Sequence, residues 1–179
     1  MEGRSRALAR GYVHLYEGDG KGKTTAAIGL AVRAAGQGMR VLFVQFLKGR
    51  DTGELSSLRR LGIAVLRGAE SDHFLFQMEE GEKSAYLSGQ RRCFLDSIRV
   101  AETYDLVVLD EVLDAVHAGA VSDGELLQWL RCRPAGLEVV LTGRNPSGEL
   151  QRAADYYTYM EKRKHPFDRG ATARKGVEY

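Results

Sequence analysis

Residues 17–25, Glu17-Gly18-Asp19-Gly20-Lys21-Gly22-Lys23-Thr24-Thr25, bring glycines, lysines and hydroxyls together at a spacing that suits a phosphate group. Glycines let successive backbone N–H groups turn inward around phosphate oxygens, and a helix starting there adds its positive end. The general phosphate-loop pattern is Gly-x4-Gly-Lys-[Ser/Thr]. Gly22, Lys23 and Thr24 satisfy it, with Lys23 as a point charge and Thr24 as a hydroxyl for Mg2+. Glu17 stands where the pattern has its leading glycine, and Gly18 and Gly20 supply the flexible backbone. Asp19, Lys21 and Thr25 complete the stretch expected around a nucleotide. A second stretch, Tyr104-Asp105-Leu106-Val107-Val108-Leu109-Asp110-Glu111, is an apolar run ending in two carboxylates. Such a strand puts negative charge beside the loop threonine, where a bound Mg2+ would sit. Alone that run is a weak signal. Paired with the loop it is a strong one.

These residues need a scaffold, and the pattern around them supplies one. Tyr12–Tyr16, Val41–Phe46, Ile63–Leu66, Leu106–Leu109 and Leu137–Leu141 are short, β-rich and mostly apolar throughout, as strands buried on both faces of a parallel sheet are. Thr24–Ala35 is rich in Ala and Leu and stops at Gly36 and Gly38, which predicts a helix directly after the loop. Glu79–Glu102 reads as one longer helix or two short ones. Ser122-Asp123-Gly124-Glu125 matches the capping box ahead of another apolar helical run. Strand–helix alternation of this kind predicts a single α/β domain over residues 1–179: a doubly wound, mostly parallel sheet of the phosphate-loop NTPase type, with helices on both faces. Ligands then bind at the carboxyl ends of the strands.

Composition excludes several other classes. The chain has 179 residues, 44% of them hydrophobic and 28% charged, which is ordinary for a globular domain and unlike disordered or fibrous chains. A formal net charge of +2 is too small to mark a nucleic-acid partner or a membrane surface. Cys93 and Cys132 have no Cys-x-x-Cys partner, against a disulfide scaffold or a zinc site. The first eleven residues lack the apolar stretch of a signal peptide, and no run is long enough to span a bilayer, so a cytoplasmic location is expected.

The phosphate loop serves many chemistries, and the remaining motifs narrow the choice. No Asn-Lys-x-Asp guanine reader is present. Leu87-Ser88-Gly89-Gln90-Arg91-Arg92 resembles a transporter-ATPase signature, but it lacks one glycine and lies too close to the loop, and is read as a polar turn in a helical segment. His117 follows Glu111 and Asp114 at helical spacing, yet the second Glu-x-x-His of a di-iron site is missing, so a solvated helix face is expected. Arg144, just after a strand, is a candidate phosphate or nucleotide contact. His14, His73 and His165 show no ligand spacing, and Trp129 is expected in the core or an interface. After Glu161 the tail carries six Lys or Arg against two acids.

Four stretches converge on one family. GDGKGKTTAAIGLAVRAAGQGMRVLFVQFLKG (Gly18–Gly49), DLVVLDEV (Asp105–Val112), LTGRNP (Leu141–Pro146) and HPFDRGATARKGVEY (His165–Tyr179) resemble the phosphate-loop class of ATP:corrinoid adenosyltransferases, in order and over nearly the whole chain. That resemblance implies transfer of the 5′-deoxyadenosyl group of ATP to the cobalt(I) of a reduced corrinoid, cobalamin or cob(I)yrinic acid a,c-diamide. Triphosphate is released, and the product serves adenosylcobalamin biosynthesis or salvage. It also implies ATP lying reversed in the loop, a six-stranded, mostly parallel sheet, a homodimer, and a flavoprotein or other reductase as electron donor. Asp110 and Glu111 become the acidic side of the Mg2+ site, with Glu111 the preferred ligand beside Thr24. Members commonly carry Phe-x-Trp where this chain has Phe74-Leu75-Phe76. The resemblance places Phe74 and Phe76 below the corrin ring and the basic tail near the corrinoid.

The residues themselves fit that chemistry. Cobalt(I) is its own nucleophile, so displacement at carbon needs no protein base, and the sequence offers no convincing Ser–His–Asp set or arginine finger. What remains for Lys23, Thr24, Glu111 and the loop amides is positioning and stabilisation of the departing triphosphate. The competing readings are a small ATPase or kinase transferring the γ-phosphoryl group, and a nucleotide-dependent binding module.

Overall fold

A strand buried on both faces has no solvent face, and such strands, apolar except at their carboxyl ends, form the centre of this molecule. The computed structural model describes residues 8–49, 52–71, 73 and 75–178. In chain order they form β1 (Val13–Glu17), α1 (Lys23–Gly36), β2 (Val41–Gln45), α2 (Gly53–Arg60), β3 (Ala64–Arg67), α3 (Glu80–Val100), β4 (Leu106–Asp110), α4 (Val112–His117), α5 (Asp123–Cys132), β5 (Glu138–Gly143), α6 (Gly148–Ala153) and β6 (Tyr156–Tyr159). Every residue of β2 and β4 is buried. The strands lie in the order β3-β2-β4-β5-β1-β6, and every pairing between them is parallel. The five strands read from apolar patterning fall within two residues of their expected positions. The sheet is wholly, not mostly, parallel.

Alternation along the strands sorts the core into two layers. Val41 and Phe43 of β2, Leu106 and Val108 of β4 and Val140 of β5 pack with Ala27, Ala31 and Ala34 of α1 and Leu58 of α2. Their neighbours Leu42, Val44, Val107, Leu109, Val139 and Leu141 face the other way, onto Phe94 of α3, Leu113 of α4, Leu126 and Leu130 of α5 and Leu150 of α6. Alanines at every third or fourth position let α1 lie close to the sheet, directly behind the phosphate loop. Helices thus cover both faces, as expected of a doubly wound fold.

Three details depart from or sharpen the sequence reading. The segment beginning at Glu79 is one helix of 21 residues, α3, followed by a 3-10 turn at Ala101–Thr103. The Ser122 capping box is present in both directions, with Glu125 N donating to Ser122 Oγ and Ser122 N donating to Glu125 Oε2. β6 was invisible to patterning because all four of its residues are exposed, so its Tyr-Tyr-Thr-Tyr sequence carries no burial signal. Among the described residues no helix is long and apolar enough to cross a membrane.

Candidate functional site

The loop between β1 and α1 owes its glycines to close backbone contact. Gly18 has φ +119, and a Cβ there would lie 2.5 Å from the carbonyl oxygen of Met160; at Gly20 it would lie 2.6 Å from the same atom. Met160 follows β6, accepts from Gly20 N at 2.7 Å and donates to Glu17 O at 2.8 Å, so the loop is braced from outside by the chain leaving β6. Glu17, in the position where the general motif has glycine, is buried and accepts the Tyr157 hydroxyl at 2.6 Å. That partner explains how a carboxylate is tolerated there, since a buried charge needs a donor. Asp19 accepts Lys162 N at 3.0 Å, which holds its carboxyl below the ordinary range, and Lys21 donates to Glu178 at 2.8 Å.

Lys23 opens α1 and donates to the carbonyls of Gly18 at 2.6 Å and Gly20 at 2.8 Å, so its ammonium lies inside the curve of the loop. Burial lowers its pKa, and Arg144 adds to the effect. Thr24 donates to Asp110 Oδ1 at 2.9 Å, joining the loop to the end of β4.

The two adjacent carboxylates of β4 have different surroundings. Asp110 is fully buried; Oδ1 accepts from the hydroxyls of Thr24 and Thr142, and Oδ2 accepts from Lys48 at 2.6 Å. Glu111 begins α4 in the left-handed region at φ 61, a conformation that costs a non-glycine residue about 1 kcal/mol or more. Its amide donates to Thr142 Oγ at 2.8 Å, which fixes the turn. Burial pushes the Glu111 carboxyl up to about 7; Asp110 and Asp114 reinforce this, and Lys48 and Arg144 oppose it.

Arg144 follows β5 on a loop with two left-handed residues, Gly143 and Asn145. His117 Nε2 lies 3.1 Å from the Arg144 carbonyl and 2.9 Å from that of Asn145, so its N–H staples this loop. His117 is exposed on its helix, as expected of a solvated face, and from there it also holds the loop that carries Arg144.

These groups line a single cleft of about 590 Å3 at the carboxyl ends of the strands. Its walls include Asp19, Gly20, Lys21, Gly22, Lys23, Thr24 and Thr25 of the loop, Glu111, Arg144, and also Lys48, Thr52 and Glu54. Asp110 and Gly18 lie just behind, bonded to Thr24 and Lys23. Phe76 is placed differently. It sits in the 3-10 turn Leu75–Gln77, 84% exposed, and is not part of the cleft wall. Phe74 lies outside the described residues.

Thr24 and Glu111 present hard oxygen donors of the kind Mg2+ accepts, one carboxylate and one hydroxyl to be completed by phosphate oxygens. Among the described residues no group of three or more His, Cys, Asp or Glu side chains is placed to hold a metal ion. Beside this spot the side-chain oxygens of Gln45 and Thr52 are buried without a partner among the described residues.

Sequence reasoning missed Lys48, Thr142, Gln45 and Gln90. Lys48 and Gln45 lay at the end of the first stretch that carries the resemblance, in Val44-Gln45-Phe46-Leu47-Lys48-Gly49, where their charge and amide were a usable signal. Gln90 was misassigned. The Leu87–Arg92 segment is the interior of α3, not a turn, and Gln90 is fully buried.

A family model described as ATP:corrinoid adenosyltransferase BtuR/CobO/CobP matches residues 9–179. The chain is similar to a corrinoid adenosyltransferase of Pseudomonas aeruginosa, 34% identical over 171 residues that span 95% of this chain and 84% of that protein. It is also similar to the corrinoid adenosyltransferase CobA of Salmonella typhimurium, 33% identical over 174 residues, 95% of this chain and 86% of that one. Among solved structures, the flagellar accessory protein FlaH from Methanocaldococcus jannaschii shares the fold, with a TM-score of 0.58 and 14% identity over 85% of this chain and 72% of that one.

Proposed function

The chain belongs to the ATP:corrinoid adenosyltransferase family, and from that premise we propose how its residues divide the work of adenosyl transfer. The electron pair of cobalt(I) forms the new bond to C5′ of ATP, the C5′–O bond breaks, and its electrons leave on triphosphate while cobalt becomes cobalt(III). The protein has no proton to remove from the nucleophile. Its task is to hold C5′ in line and to offset charge on the leaving group.

The observation that carries this reading is the convergence of Lys23, Lys21, Arg144, Thr24 and Glu111 on one cleft. The loop amides, the N-terminus of α1 and the three cations receive the triphosphate. Thr24 and Glu111 would hold Mg2+, which when bound adds positive charge to the phosphate oxygens. Asp110 serves them from behind, because its two oxygens are already engaged by Thr24, Thr142 and Lys48. Phe76, and Phe74 beside it in sequence, are assigned to the lower face of the corrin; the tail, whose His165, Val177 and Glu178 line the nucleotide cleft, is assigned to the border between that cleft and the corrinoid. We further propose a homodimer, a flavoprotein or similar reductase as electron donor, and a cytoplasmic location.

The product identifies the reaction. Incubated with ATP, Mg2+ and a chemically reduced corrinoid, the protein is expected to give the absorption spectrum of the adenosylcorrinoid and one triphosphate per turnover. Release of ADP would place it instead with γ-phosphoryl transferases, and no turnover would leave a binding module.

A further inference from the structure

Lys48 is the charged group at the centre of the site that neither the phosphate loop nor the acidic strand accounts for. Its ammonium lies 2.6 Å from Asp110 Oδ2, 3.5 Å from Thr24 Oγ, 3.7 Å from Glu111 Oε1 and 3.9 Å from Glu54 Oε1. The side chain is only 17% exposed. Three of those four oxygens belong to the residues assigned to the Mg2+ site or supporting it. A fully buried Asp110 needs a cation next to it, because an unpaired charge in that position is strongly unfavourable. Burial lowers the affinity of Lys48 for its proton, but Asp110, Glu111 and Glu54 more than offset this and keep it charged.

Its placement is built, not incidental. β2 ends at Gln45, and the chain turns through Leu47 in the left-handed region at φ 56. The Leu47 amide donates to Gln90 Oε1 at 3.1 Å, and the Lys48 carbonyl accepts from Arg67 Nη2 at 2.7 Å. Glu54, on the first turn of α2, accepts from Gln45 Nε2 at 2.8 Å and so faces the same spot. Backbone and acids together fix the ammonium among the cation-binding oxygens.

We propose that Lys48 is a tethered counter-ion that holds the cation pocket assembled and rejects a bare divalent cation, yielding only to one that arrives with a triphosphate. Two cations cannot share oxygens this close without repulsion, so Mg2+ alone finds its position taken. A triphosphate changes the balance. The flexible four-carbon stem lets the ammonium move onto phosphate oxygens, and Mg2+ then takes its own phosphate and protein ligands. Cation and nucleotide binding become coupled, each tightening the other by the same factor. This rests on the reading that Thr24 and Glu111 hold the cation.

The test uses Mn2+ as the probe, with bound and free ion distinguished by electron paramagnetic resonance, on the full-length protein without corrinoid. Wild-type protein is expected to bind Mn2+ weakly without nucleotide and at least ~100-fold more tightly with ATP, near the upper end of ordinary coupling factors. Lys48→Met is expected to bind Mn2+ at least ~10-fold more tightly than wild type without nucleotide, with the effect of ATP reduced by a similar factor. Nucleotide-free Mn2+ affinity that is unchanged in Lys48→Met overturns the proposal, including the case where the variant only melts earlier. If Lys48→Met does not fold, Lys48→Gln keeps an N–H donor for Asp110 without the charge, and the same comparison decides. The underlying site assignment has its own control. Should Glu111→Gln leave Mn2+ binding in the presence of ATP unaltered, the assignment of the cation to Glu111 fails, whatever Lys48 does.

Discussion

Asp110 and Glu111 are chemically similar neighbours, and the backbone turn between them gives them separate tasks. Asp110 ends a buried strand and meets three donors; Glu111 starts a helix in a left-handed conformation and faces the cleft. With fewer donors, burial dominates at Glu111 and lifts its carboxyl to about 7. An acid whose pKa is higher folded than unfolded stabilises the fold in its protonated form. That contribution is complete below the ordinary pKa of 4.5 and is lost as pH rises through about 7. The nucleotide-free protein should therefore lose stability between about pH 4.5 and 7 on account of this residue. With the side chain 35% exposed, the loss is about 1–2 kcal/mol after solvent screening is allowed for. Glu111→Gln cannot ionise, so its melting temperature should fall less between pH 5 and 7.5 than that of wild type. Parallel profiles for the two proteins would mean that Glu111 titrates as an ordinary surface acid.

At the scale of elements, α3 supports the site without touching it. Gln90, fully buried, accepts from Leu47 N at 3.1 Å and donates to the Ala69 carbonyl at 3.0 Å. One side chain thus ties the segment after β2, which carries Lys48, to the segment after β3. Gly89 lets the helix come this near: a Cβ there would lie 2.5 Å from the Ala69 Cβ. Gln90→Leu keeps the volume but strands two backbone groups, so a loss of about 2–4 kcal/mol is expected by denaturant unfolding. A loss under ~0.5 kcal/mol, the range of surface substitutions, would show that the bracket is not used. This bracket also shows where sequence reading stops. Lys23, Thr24 and Asp110 were legible because local spacing alone brings a loop, a helix start and a strand end into order. β2 and β4 were legible because burial on both faces leaves four consecutive apolar residues in each, residues 41–44 and 106–109. Gln90 meets residues 43 and 21 positions away, and nothing near it in sequence announces them. Short α4 and α6 carry too little periodicity to be recognised, and the left-handed turn at Glu111 has no glycine to mark it.

The whole molecule arranges these parts along one rim. In the order β3-β2-β4-β5-β1-β6, the phosphate loop follows the fifth strand and the turn holding Phe76 follows the first. Four strand steps of ~4.8 Å separate those two strands by roughly 19 Å, with Lys48, Glu111 and Arg144 rising from the strands between. Phe76 lies outside the wall of the nucleotide cleft with 84% of its surface exposed, and the role proposed for it is with the second substrate. The corrinoid must be reduced to cobalt(I) before it can attack. A cobalt(II) corrinoid keeps its unpaired electron in an orbital that a lower axial ligand raises, which makes reduction difficult. Apolar rings beneath the corrin would exclude water and the corrinoid's own base, since a polar ligand is poorly accommodated there. Reduction would then fall within reach of ordinary electron donors. Phe76→Ala separates this task from simple packing when it is assayed with two electron sources. With an enzymatic reductant, activity should drop at least ~10-fold, while with pre-formed cobalt(I) corrinoid it should stay within ~3-fold, because only the reduction step has lost support. Equal losses in the two assays would instead make Phe76 a binding contact for the corrinoid.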